Sequence, residues 1–376
     1  MKILITGGCG FIGTKLQQRL FAENLKVVVF DNMSTQIHGS NNIYKNDFNF
    51  DFYKGDVNNI GDLLNVLSDV EIIVHLAAET GTGQSMYEME KYIKTNCIGT
   101  ANLFSAIRIL GNKSKVKKVI LSSSRSVYGE GAYSCISCNS VVYPEARNLN
   151  SLQNCIWNHS CPECKNELIS IPTPENAILN PSSIYASTKL EQEHITKISC
   201  SSLNIEYVIL RFQNVYGSGQ SLKNPYTGLL TVFTNQIRNN NDIHIYEDGK
   251  ETRDFVHVND VVEAIFLSLI EEKYNNDIYN VGSGVNTTIE DIAKMLINLH
   301  KSETKLVYSQ KYRFGDIRHN SASLLKIRNK LNFEPKINIA DGLFDFFKWS
   351  NIQEIELDNY LKTELELKNN GLMNSN

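Results

Sequence analysis

The sequence lacks an excess of basic charge and lacks any long apolar segment. Its 37 Lys and Arg residues stand against 41 Asp and Glu residues, which gives a net charge of −4. Without a basic field, the chain has little to attract nucleic acid. No apolar run approaches the roughly 18 residues that a membrane-spanning helix needs, and the apolar start at residues 1–6 is too short for a signal peptide. We therefore expect a cytoplasmic protein whose partners are neither nucleic acid nor a membrane.

Internal repeats are also missing from the sequence. The composition is that of a soluble globular protein, with 42% hydrophobic and 21% charged residues. A chain of 376 residues is too long for one ordinary domain and long enough for two. Two domains are therefore expected.

The beginning of the chain has the pattern of a dinucleotide-binding unit. Apolar runs at residues 2–6 and 27–31 predict two buried parallel strands, and a helical pattern at 11–23 lies between them. The first strand leads into glycines spaced G-x-x-G-x-x-G, a variant of the dinucleotide pattern, and the second strand ends in Asp31. Glycine lets the backbone approach a pyrophosphate at a helix N-terminus, whereas a merely structural tight turn is the alternative.

Asp31 indicates which dinucleotide would bind. Its carboxylate is placed to accept hydrogen bonds from ribose hydroxyls and would repel the 2′-phosphate of NADP, so NAD is the predicted cofactor. Later strand ends are expected to add contacts of their own. The cofactor-binding residues predicted from these strand ends and turns are Gly7, Gly10, Phe11, Ile12, Gly13, Asp31, Asn32, Asp56, Val57, Leu76, Ala77 and Ala78.

Strands and helices continue to alternate along the first two hundred residues. The predicted elements are strands at 52–56, 71–78, 119–124 and 207–211, with helices at 60–67 and 86–110. This alternation predicts an α/β fold with a doubly wound parallel Rossmann sheet, whose ligand site lies at the carboxyl ends of the strands. His75, at one of these strand ends, is interpreted as a structural residue and not as a catalyst.

The pattern also predicts how the chain divides into domains. Residues 1–213 form an NAD-binding Rossmann domain, interrupted at 131–174 by a cysteine-rich insert. Residues 214–350 form mainly a smaller α/β substrate-binding domain, of which 250–283 partly return to the Rossmann domain. The polar residues 366–376 are predicted to be a disordered tail.

Tyr185 and Lys189 lie four residues apart in a segment that is predicted to be helical. At this spacing the two side chains share one face of the helix. An ammonium group beside a phenol favours the phenolate and lowers the pKa of the Tyr from its usual value of about 10. Tyr185 could then take a proton from an alcohol. The pair alone is weak support, because a solvated helix face often carries the same two residues.

Five of the eight cysteines lie within thirty residues of one another. Two C-x-x-C pairs, Cys135 with Cys138 and Cys161 with Cys164, have 22 residues between them, which matches a four-thiolate zinc site. Zinc would stabilise a small insert that has little core of its own, and a closed site would leave no position for catalysis. Four reduced thiols in a loop are the alternative, and Cys155 is not expected to be a ligand.

Several of these motifs together resemble one known family. The combination covers roughly residues 1–349 and resembles the extended short-chain dehydrogenases/reductases, the family of the nucleotide-sugar epimerases and dehydratases. The segment at 253–258 also resembles the part of that family that contacts the diphosphate. The motifs that carry the resemblance are residues 6–13, Asp31, Ser122-Ser123-Ser124 with Val127-Tyr128-Gly129, and Tyr185-x-x-x-Lys189.

The resemblance implies a role for each matching residue. Tyr185 would be the base and acid at the sugar hydroxyl, Lys189 would bind the nicotinamide ribose and lower the pKa of Tyr185, and Ser124 would hydrogen-bond the reacting oxygen. Asn96 would support the catalytic helix within the cofactor site, and a homodimer would form through the helices of Asn96 and Tyr185. The implied substrate contacts are Ser124, Asn214, Arg253 and Arg313.

Three arginines in the second half of the chain have two possible interpretations. From the residues alone, Arg253, Arg313 and Arg318 are candidates for binding a diphosphate, because guanidinium groups match phosphate geometry. For any one of them, a surface salt bridge is an equal alternative.

Two details narrow the implied reaction. The dehydratases of the family carry an Asp-Glu pair directly after the strand-end hydroxyl, where this chain has Arg125 and Ser126. Neither residue can do the proton transfers of water elimination, so dehydration is disfavoured. Ser124 and Tyr185 lie 61 residues apart because of the cysteine insert, and such an insert resembles the branch of the dTDP-L-rhamnose 4-epimerases.

The predicted function is therefore that of an NAD-dependent nucleotide-sugar 4-epimerase in deoxysugar biosynthesis, acting on a dTDP-6-deoxyhexose such as dTDP-L-rhamnose. The reaction would be oxidation at C4, rotation of the 4-keto sugar and return of the hydride. One alternative is a nucleotide-sugar dehydrogenase or reductase with the same three catalytic residues. The other is a catalytically silent NAD-binding scaffold.

Overall fold

The computed structural model describes residues 1–39, 47–223 and 228–374. Within these residues, seven strands form one sheet in which every neighbouring pair is parallel. From edge to edge the strands are β13 (Asp277–Val281), β9 (Glu206–Phe212), β5 (Lys118–Ser124), β4 (Ile72–His75), β1 (Lys2–Thr6), β2 (Lys26–Asp31) and β3 (Asp51–Lys54). The predicted doubly wound α/β fold is therefore confirmed.

Helices cover both faces of this sheet. On one face lie α1 (Phe11–Ala22), α10 (Val258–Ile270) and α12 (Leu325–Leu331), and on the other lie α3 (Ile60–Val66), α6 (Gly99–Leu110) and α8 (Ile184–Leu203). Successive residues of β1 point to opposite faces, so Ile3 and Ile5 join one apolar cluster and Leu4 joins the other. Burial on both faces explains why these strands are continuous apolar runs.

The predicted long helix at 86–110 is divided into shorter pieces. Within it, the short helix α5 (Met89–Tyr92) comes first and a π-helical turn at Ile93–Ile98 then leads into α6, while another short helix, α4 (Thr82–Ser85), precedes the predicted range. Such π-turns are frequent at functional sites because they turn a side chain away from the regular helical row. Short α2 (Thr35–His38) and the 3-10 turns Gly111–Lys113 and Arg125–Tyr128 complete this part of the chain.

The strand order of the large sheet changes direction at β1. This strand pairs with β2 on one side and with β4 on the other. The chain connections therefore leave in opposite directions and open a crevice at the carboxyl ends of the two strands. Ligands bind at this point in doubly wound sheets, so the fold places the candidate site here.

The cysteine-rich insert folds into a small unit. An antiparallel sheet joins β6 (Tyr133–Cys135) with β7 (Ser140–Val142) on one side and β8 (Ile169–Ser170) on the other. The short helix α7 (Leu149–Gln153) lies between β7 and β8 in the chain. Its apolar cluster contains Tyr133, Leu168 and the cysteine side chains.

The remaining elements lie outside the large sheet, and most of them contribute side chains to a further apolar cluster. They are β10 (Asn214–Tyr216), α9 (Leu229–Arg238), β11 (Ile243–Ile245), β12 (Thr252–His257), β14 (Asn286–Thr288), α11 (Ile289–His300), β15 (Leu306–Tyr308), β16 (His319–Asn320), α13 (Ile339–Asn351) and α14 (Tyr360–Asn369). Strand β12 pairs with β10, β14 and β16, and β11 pairs with β15. Between them in the chain, α10 and β13 rejoin the large sheet.

The end of the chain differs from the predicted disordered tail at 366–376. Helix α14 continues to Asn369, and the side chains of Leu367 and Met373 are buried. Arg313 and Met373 also form a β-bridge. Because this segment is helical as far as Asn369 and buries apolar side chains, the prediction is wrong for residues 366–374; Ser375 and Asn376 lie outside the described residues.

None of the helices in the described parts of the chain combines the length and the apolar character that crossing a membrane requires.

Candidate active site

A cavity of ≈ 590 Å³ opens at the carboxyl ends of β1 and β4. It extends from the glycine turn after β1 to the beginning of α8. The predicted site residues that line it are Gly7, Gly10, Phe11, Ile12, Gly13, Asp31, Asn32, Val57, Leu76, Ala77, Ala78, Ser124, Tyr185, Lys189 and Asn214. The structure thus brings most of the predicted cofactor set together around one space.

The glycine turn leaves the beginning of α1 open to this cavity. Its N-cap residue is Gly10, and no side chain caps the helix. The first N–H groups of a helix have no partner within the helix, so they can bind the oxygens of a pyrophosphate. Gly7 has a φ of 67°, and an added Cβ would lie 2.7 Å from the backbone nitrogen of Ala77. The local geometry therefore fits a dinucleotide.

Asp31 lies at the end of β2, 7% exposed. Its carboxylate accepts hydrogen bonds from the backbone N–H groups of Cys9 (3.0 Å) and Met33 (2.8 Å). These bonds fix the side chain at the cavity wall, where its negative charge would repel a 2′-phosphate.

Helix α8 carries the predicted catalytic pair. Ser183 caps its N-terminus by accepting a hydrogen bond from the N–H of Ala186 (3.1 Å). The N–H of Tyr185 donates to Oγ of Ser85 (3.0 Å), which joins this turn to α4. Lys189 is 3% exposed, and its Nζ donates to the carbonyl of Ser122 at 2.9 Å. Tyr185 and Lys189 therefore both face the cavity from one side of the helix.

Burial changes the proton affinity of both groups. It raises the pKa of Tyr185, while a hydrogen bond to Ser124 and the positive charge of Arg125 act in the opposite direction. It lowers the pKa of Lys189 to about 7, although the charge of Glu193 opposes this. The sequence predicted that Lys189 lowers the pKa of Tyr185, whereas in the structure burial raises this pKa, and the groups that oppose the rise are Ser124 and Arg125.

Three consecutive serines at the end of β5 have different partners. Ser122 Oγ donates to the carbonyl of His75 (3.1 Å), and Ser123 Oγ donates to the carboxylate of Glu193 (2.6 Å). Ser124, the last residue of the strand, turns toward the cavity and Tyr185. Both ring nitrogens of His75 also bond to hydroxyls, those of Thr6 (2.7 Å) and Thr100 (3.0 Å), which fits its structural interpretation.

Asn96 lies in the π-helical turn and is fully buried. Its side chain donates to Oγ1 of Thr188 in α8 (2.9 Å), and it exchanges hydrogen bonds with the backbone of Glu79 (2.8 and 3.1 Å). It thus connects the catalytic helix to the loop after β4. Asn96 was predicted among the cofactor contacts, but its buried amide lies behind the cavity wall.

Asp56 is the other predicted cofactor residue that does not line the cavity. Its carboxylate accepts hydrogen bonds from the N–H of Asn58 (2.8 Å) and from the side chain of Asn32 (3.2 Å). These bonds engage its carboxylate, and the following residue, Val57, lies on the cavity wall.

A second cavity of ≈ 280 Å³ continues from the first. Thr82, Arg125 and Asn214 line both, and Arg125 Nε donates to the side-chain oxygen of Asn214 at 3.2 Å. Arg253 and Arg313, the predicted substrate contacts, line the second cavity. The guanidinium groups therefore lie beyond Ser124, Tyr185 and Lys189, where they could bind a negatively charged part of a substrate.

Arg318 is engaged elsewhere. It is 1% exposed and lies among the carboxylates of Glu247, Asp248 and Glu251, with Nη1 at 3.2, 2.7 and 3.5 Å from them. These three acids could resemble a metal site, but the guanidinium already supplies the positive charge among them. Arg318 is therefore engaged with these acids and is not among the residues that line either cavity.

Two features of the site were not predicted from the sequence: the position of Glu193, and the fact that Arg125 lines both cavities. Glu193 is fully buried in α8, and Arg211 of β9 binds it with two parallel hydrogen bonds of 2.8 and 2.7 Å. This pair joins α8 to β9 of the large sheet. A signal was present: Glu193 follows Lys189 at the same four-residue spacing that separates Lys189 from Tyr185, so all three share one helical row.

The four cysteines of the two C-x-x-C pairs come together in the insert. Their Sγ atoms all lie within 4.8 Å of one another, with 3.4 Å between Cys135 and Cys164 and 3.8 Å between Cys138 and Cys161. A disulfide would hold two sulfurs about 2.05 Å apart, so the thiols are separate. Cys155 is exposed and lies outside the group.

The fold and the site together define a dinucleotide-dependent enzyme of the short-chain dehydrogenase/reductase type, and comparisons with known proteins narrow this class. A family model described as GDP-mannose 4,6 dehydratase matches residues 4–147. Another, described as the NAD dependent epimerase/dehydratase family, matches residues 161–282. The dTDP-L-rhamnose 4-epimerase of Burkholderia thailandensis is 36% identical over 363 residues, which cover 95% of this chain and 97% of that protein.

Solved structures agree with these matches. The UDP-glucose 4-epimerase of Thermotoga maritima, solved with UDP-glucose, has a TM-score of 0.75 at 28% identity and covers 93% of this chain and 99% of its own. The UDP-glucuronic acid 4-epimerase of Bacillus cereus, solved with UDP-glucuronic acid and NAD, has a TM-score of 0.75 at 26% identity with the same coverage. The chain belongs to the extended short-chain dehydrogenases/reductases, among the NAD-dependent nucleotide-sugar epimerases and dehydratases.

Proposed function

We propose that this protein is an NAD-dependent nucleotide-sugar 4-epimerase. The observation that carries the proposal is the meeting of Ser124, Tyr185 and Lys189 in a dinucleotide-shaped cavity that adjoins a second cavity lined by arginines. The relatives named above are, by name, 4-epimerases of nucleotide sugars. A hydroxyl-oxidising site between a cofactor cavity and a diphosphate cavity is what that reaction needs.

The chain's own residues would hold NAD along the first cavity. The open N-terminus of α1 would bind the pyrophosphate, Asp31 the adenosine ribose and Lys189 the nicotinamide ribose. When bound, NAD supplies the acceptor for a hydride from the sugar carbon and later the donor that returns it.

Tyr185 would move the proton of the sugar hydroxyl. As a phenolate it takes this proton during oxidation, and as a phenol it returns the proton during reduction. Ser124 would hydrogen-bond the same oxygen and keep it within reach of Tyr185. Because one residue serves both directions, the reaction begins and ends with the same protonation state of the protein.

The second cavity would hold the nucleotide while the sugar turns. Arg253 and Arg313 would bind the diphosphate, and Asn214 would contact it beside Arg125. Arg253 is itself held by the backbone carbonyls of Ile317 (2.8 Å) and Arg318 (3.1 Å). Binding energy placed away from the reacting carbon lets the 4-keto sugar present its other face without leaving.

A dTDP-6-deoxyhexose such as dTDP-L-rhamnose is the proposed substrate. The 36%-identical relative is a dTDP-L-rhamnose 4-epimerase by name, and the cysteine insert of this chain resembles that branch. Arg125 and Ser126 occupy the positions of the dehydratase Asp-Glu pair, which supports epimerisation against water elimination even though a dehydratase family model matches.

The cysteine group of the insert is a proposed structural zinc site. Tetrahedral zinc with Zn–S distances of about 2.3 Å places its sulfurs about 3.8 Å apart, close to the 3.4 and 3.8 Å found between the thiol pairs. The donor set is closed, so zinc would stabilise the insert and take no part in the reaction.

A homodimer is proposed through the helices that carry Asn96 and Tyr185. Around the π-turn and α8, the apolar side chains of Ile93, Ile98 and Ile198 are 45%, 49% and 70% exposed. Covering such side chains would favour association. Light scattering after size-exclusion chromatography should give twice the chain mass, and a monomer mass would contradict the dimer.

The function is tested by incubating the purified protein with a panel of nucleotide sugars, dTDP-L-rhamnose first, without added NAD. NMR should show a C4 epimer, and no NADH absorbance should accumulate. Net formation or consumption of NADH would favour a dehydrogenase or reductase. The absence of any product would favour a silent NAD-binding scaffold.

A further inference from the structure

The end of the chain lies against the second cavity. Tyr360, Thr363 and Leu367 of α14 line it, together with Asp358 and Asn359 just before the helix. With Glu364, these helical residues follow the i, i+3, i+4, i+7 spacing of one helix face. On the other face, Leu361, Lys362 and Leu365 are exposed. The helix therefore has a defined inner side, which faces the proposed substrate.

Contacts along its length hold this segment in place. Glu364 pairs with Lys311 at 2.7 Å and with Lys368 at 3.0 Å. The N–H of Phe314 donates to the carbonyl of Leu372 at 3.0 Å. Leu367 reaches Gly83 on the opposite side, because a Cβ added to Gly83 would lie 3.3 Å from its Cδ2. The segment thus spans from the loop after β4 to the loop that carries Arg313.

The cavity end formed by this segment has the chemistry of a nucleobase site. The ring of Tyr360 stacks on His244 with centroids 4.9 Å apart and planes 7° apart, and Tyr246 and Phe233 line the same cavity. Flat rings of this kind can bind a flat base. Asn235 also lines this cavity and is 7% exposed; among the described residues, its side-chain oxygen has no hydrogen-bond partner. A buried acceptor without a partner costs free energy unless a ligand N–H satisfies it.

We propose that residues 358–374 form a permanent wall of the nucleobase end of the substrate site, and that Tyr360 and Thr363 help to determine which nucleotide binds. The proposal rests on the proposed function, because a nucleoside diphosphate must occupy the second cavity. The arginines place the diphosphate near the catalytic residues, so the base lies at the far, aromatic end. Because the proposed substrate carries dTDP, the base that we expect at this end is thymine.

Titration calorimetry of the NAD-loaded, full-length protein with dTDP, UDP and GDP tests this wall. Tyr360→Ala should weaken dTDP binding at least tenfold and reduce the preference for dTDP over GDP. Thr363→Trp should weaken dTDP binding by a similar factor, because the larger side chain would fill the cavity. Lys362→Ala, on the exposed side of the same helix, is the matched control and should bind dTDP like the wild type. Unchanged dTDP affinity in both cavity variants would overturn the proposal.

A measurement on the unmodified protein removes the question of misfolding. Hydrogen exchange at residues 360–368 should become slower when dTDP is added, because the ligand would pack against α14. Unchanged exchange there, with dTDP shown to bind, would contradict the wall. Failure of the wild type to bind any nucleoside diphosphate would instead contradict the proposed function itself.

Discussion

Tyr185 and Lys189 are two ionisable groups that burial pushes toward their neutral forms. Burial raises the pKa of Tyr185 and lowers that of Lys189 to about 7. The neutral phenol is a poor base, so the positive charge of Arg125 and the hydroxyl of Ser124 matter for reaching the phenolate. Arg125 thus combines two roles, since it also lies at the junction of the two cavities.

Replacing Tyr185 with Phe would remove the proposed proton carrier and little else. General acid–base catalysis contributes about 10²–10⁴-fold, so we expect Tyr185→Phe to lower kcat by at least a factor of about 100. The variant should still purify with NAD, which its absorbance and a released-cofactor assay would measure. Normal turnover by the variant would remove Tyr185 from the chemistry.

The buried Lys189 gives the protein stripped of NAD a pH-dependent stability. The pKa of Lys189 is about 7 when folded, against an ordinary value of 10.5. Between these values the unfolded chain binds one more proton, so the contribution of Lys189 to the free energy of unfolding rises with pH. From pH 7 to 9, thermal unfolding should show the wild type gaining stability relative to Lys189→Met. The exposed Lys94→Met is the control, and an equal gain in both comparisons would contradict the low pKa.

At the scale of elements, α8 depends on a buried ion pair for its position. Removing Glu193 would leave the guanidinium of Arg211 buried without its carboxylate, which costs about 3–5 kcal/mol. We expect Glu193→Ala to lower the free energy of unfolding by about that amount, measured by urea denaturation. Glu191→Ala, with its side chain 55% exposed on the same helix, should change it little. Equal stabilities of the two variants would show that the pair does not anchor the helix.

A second prediction at the scale of elements concerns the metal content of the cysteine-rich insert. Protein purified without a chelator should contain about one zinc per chain, measured by elemental analysis. Cys138→Ser should lower the zinc content and the unfolding temperature, whereas Cys155→Ser, outside the group, should change neither. Metal-free protein of full stability would contradict the zinc site.

The elements that the sequence predicted well are those whose patterns are local. Buried parallel strands such as β1 and β2 are apolar runs between turns, and α8 has a Ser cap with a regular helical row. The π-turn at Ile93–Ile98 has no such pattern, because it depends on Asn96 bonding to Thr188 and Glu79. α14 was missed because its polar composition hid the row from Tyr360 to Leu367.

The site residues also differ in how well the sequence alone predicts their positions. Glycines and strand ends could be placed from the sequence, since topology alone brings them to one edge of the sheet. The orientations of Asp56 and Arg318 could not be predicted from the sequence. They depend on hydrogen bonds to Asn58 and Asp248, and a sequence pattern does not distinguish these partners from ordinary polar surface residues.

At the scale of the whole molecule, one loop joins three parts of the chain. Tyr312 packs near Trp157 of the insert, with ring centroids 6.3 Å apart, and Arg147 of the insert donates to the carbonyl of Asp316 at 2.9 Å. The C-terminal segment holds the same loop through Phe314 and Lys311. Because Arg313 lies in this loop and lines the second cavity, the insert and the end of the chain both contact a wall of that cavity.

The most direct test of the proposed epimerisation is to follow the hydrogen at C4 of the sugar. dTDP-L-rhamnose carrying deuterium at C4 would be incubated with the protein in ordinary water, and the product examined by NMR. Internal return of the hydride predicts a C4 epimer that keeps the deuterium at C4, with no NADH accumulating. Loss of the deuterium to solvent, or its transfer to added NAD, would contradict epimerisation by Tyr185 and a retained cofactor.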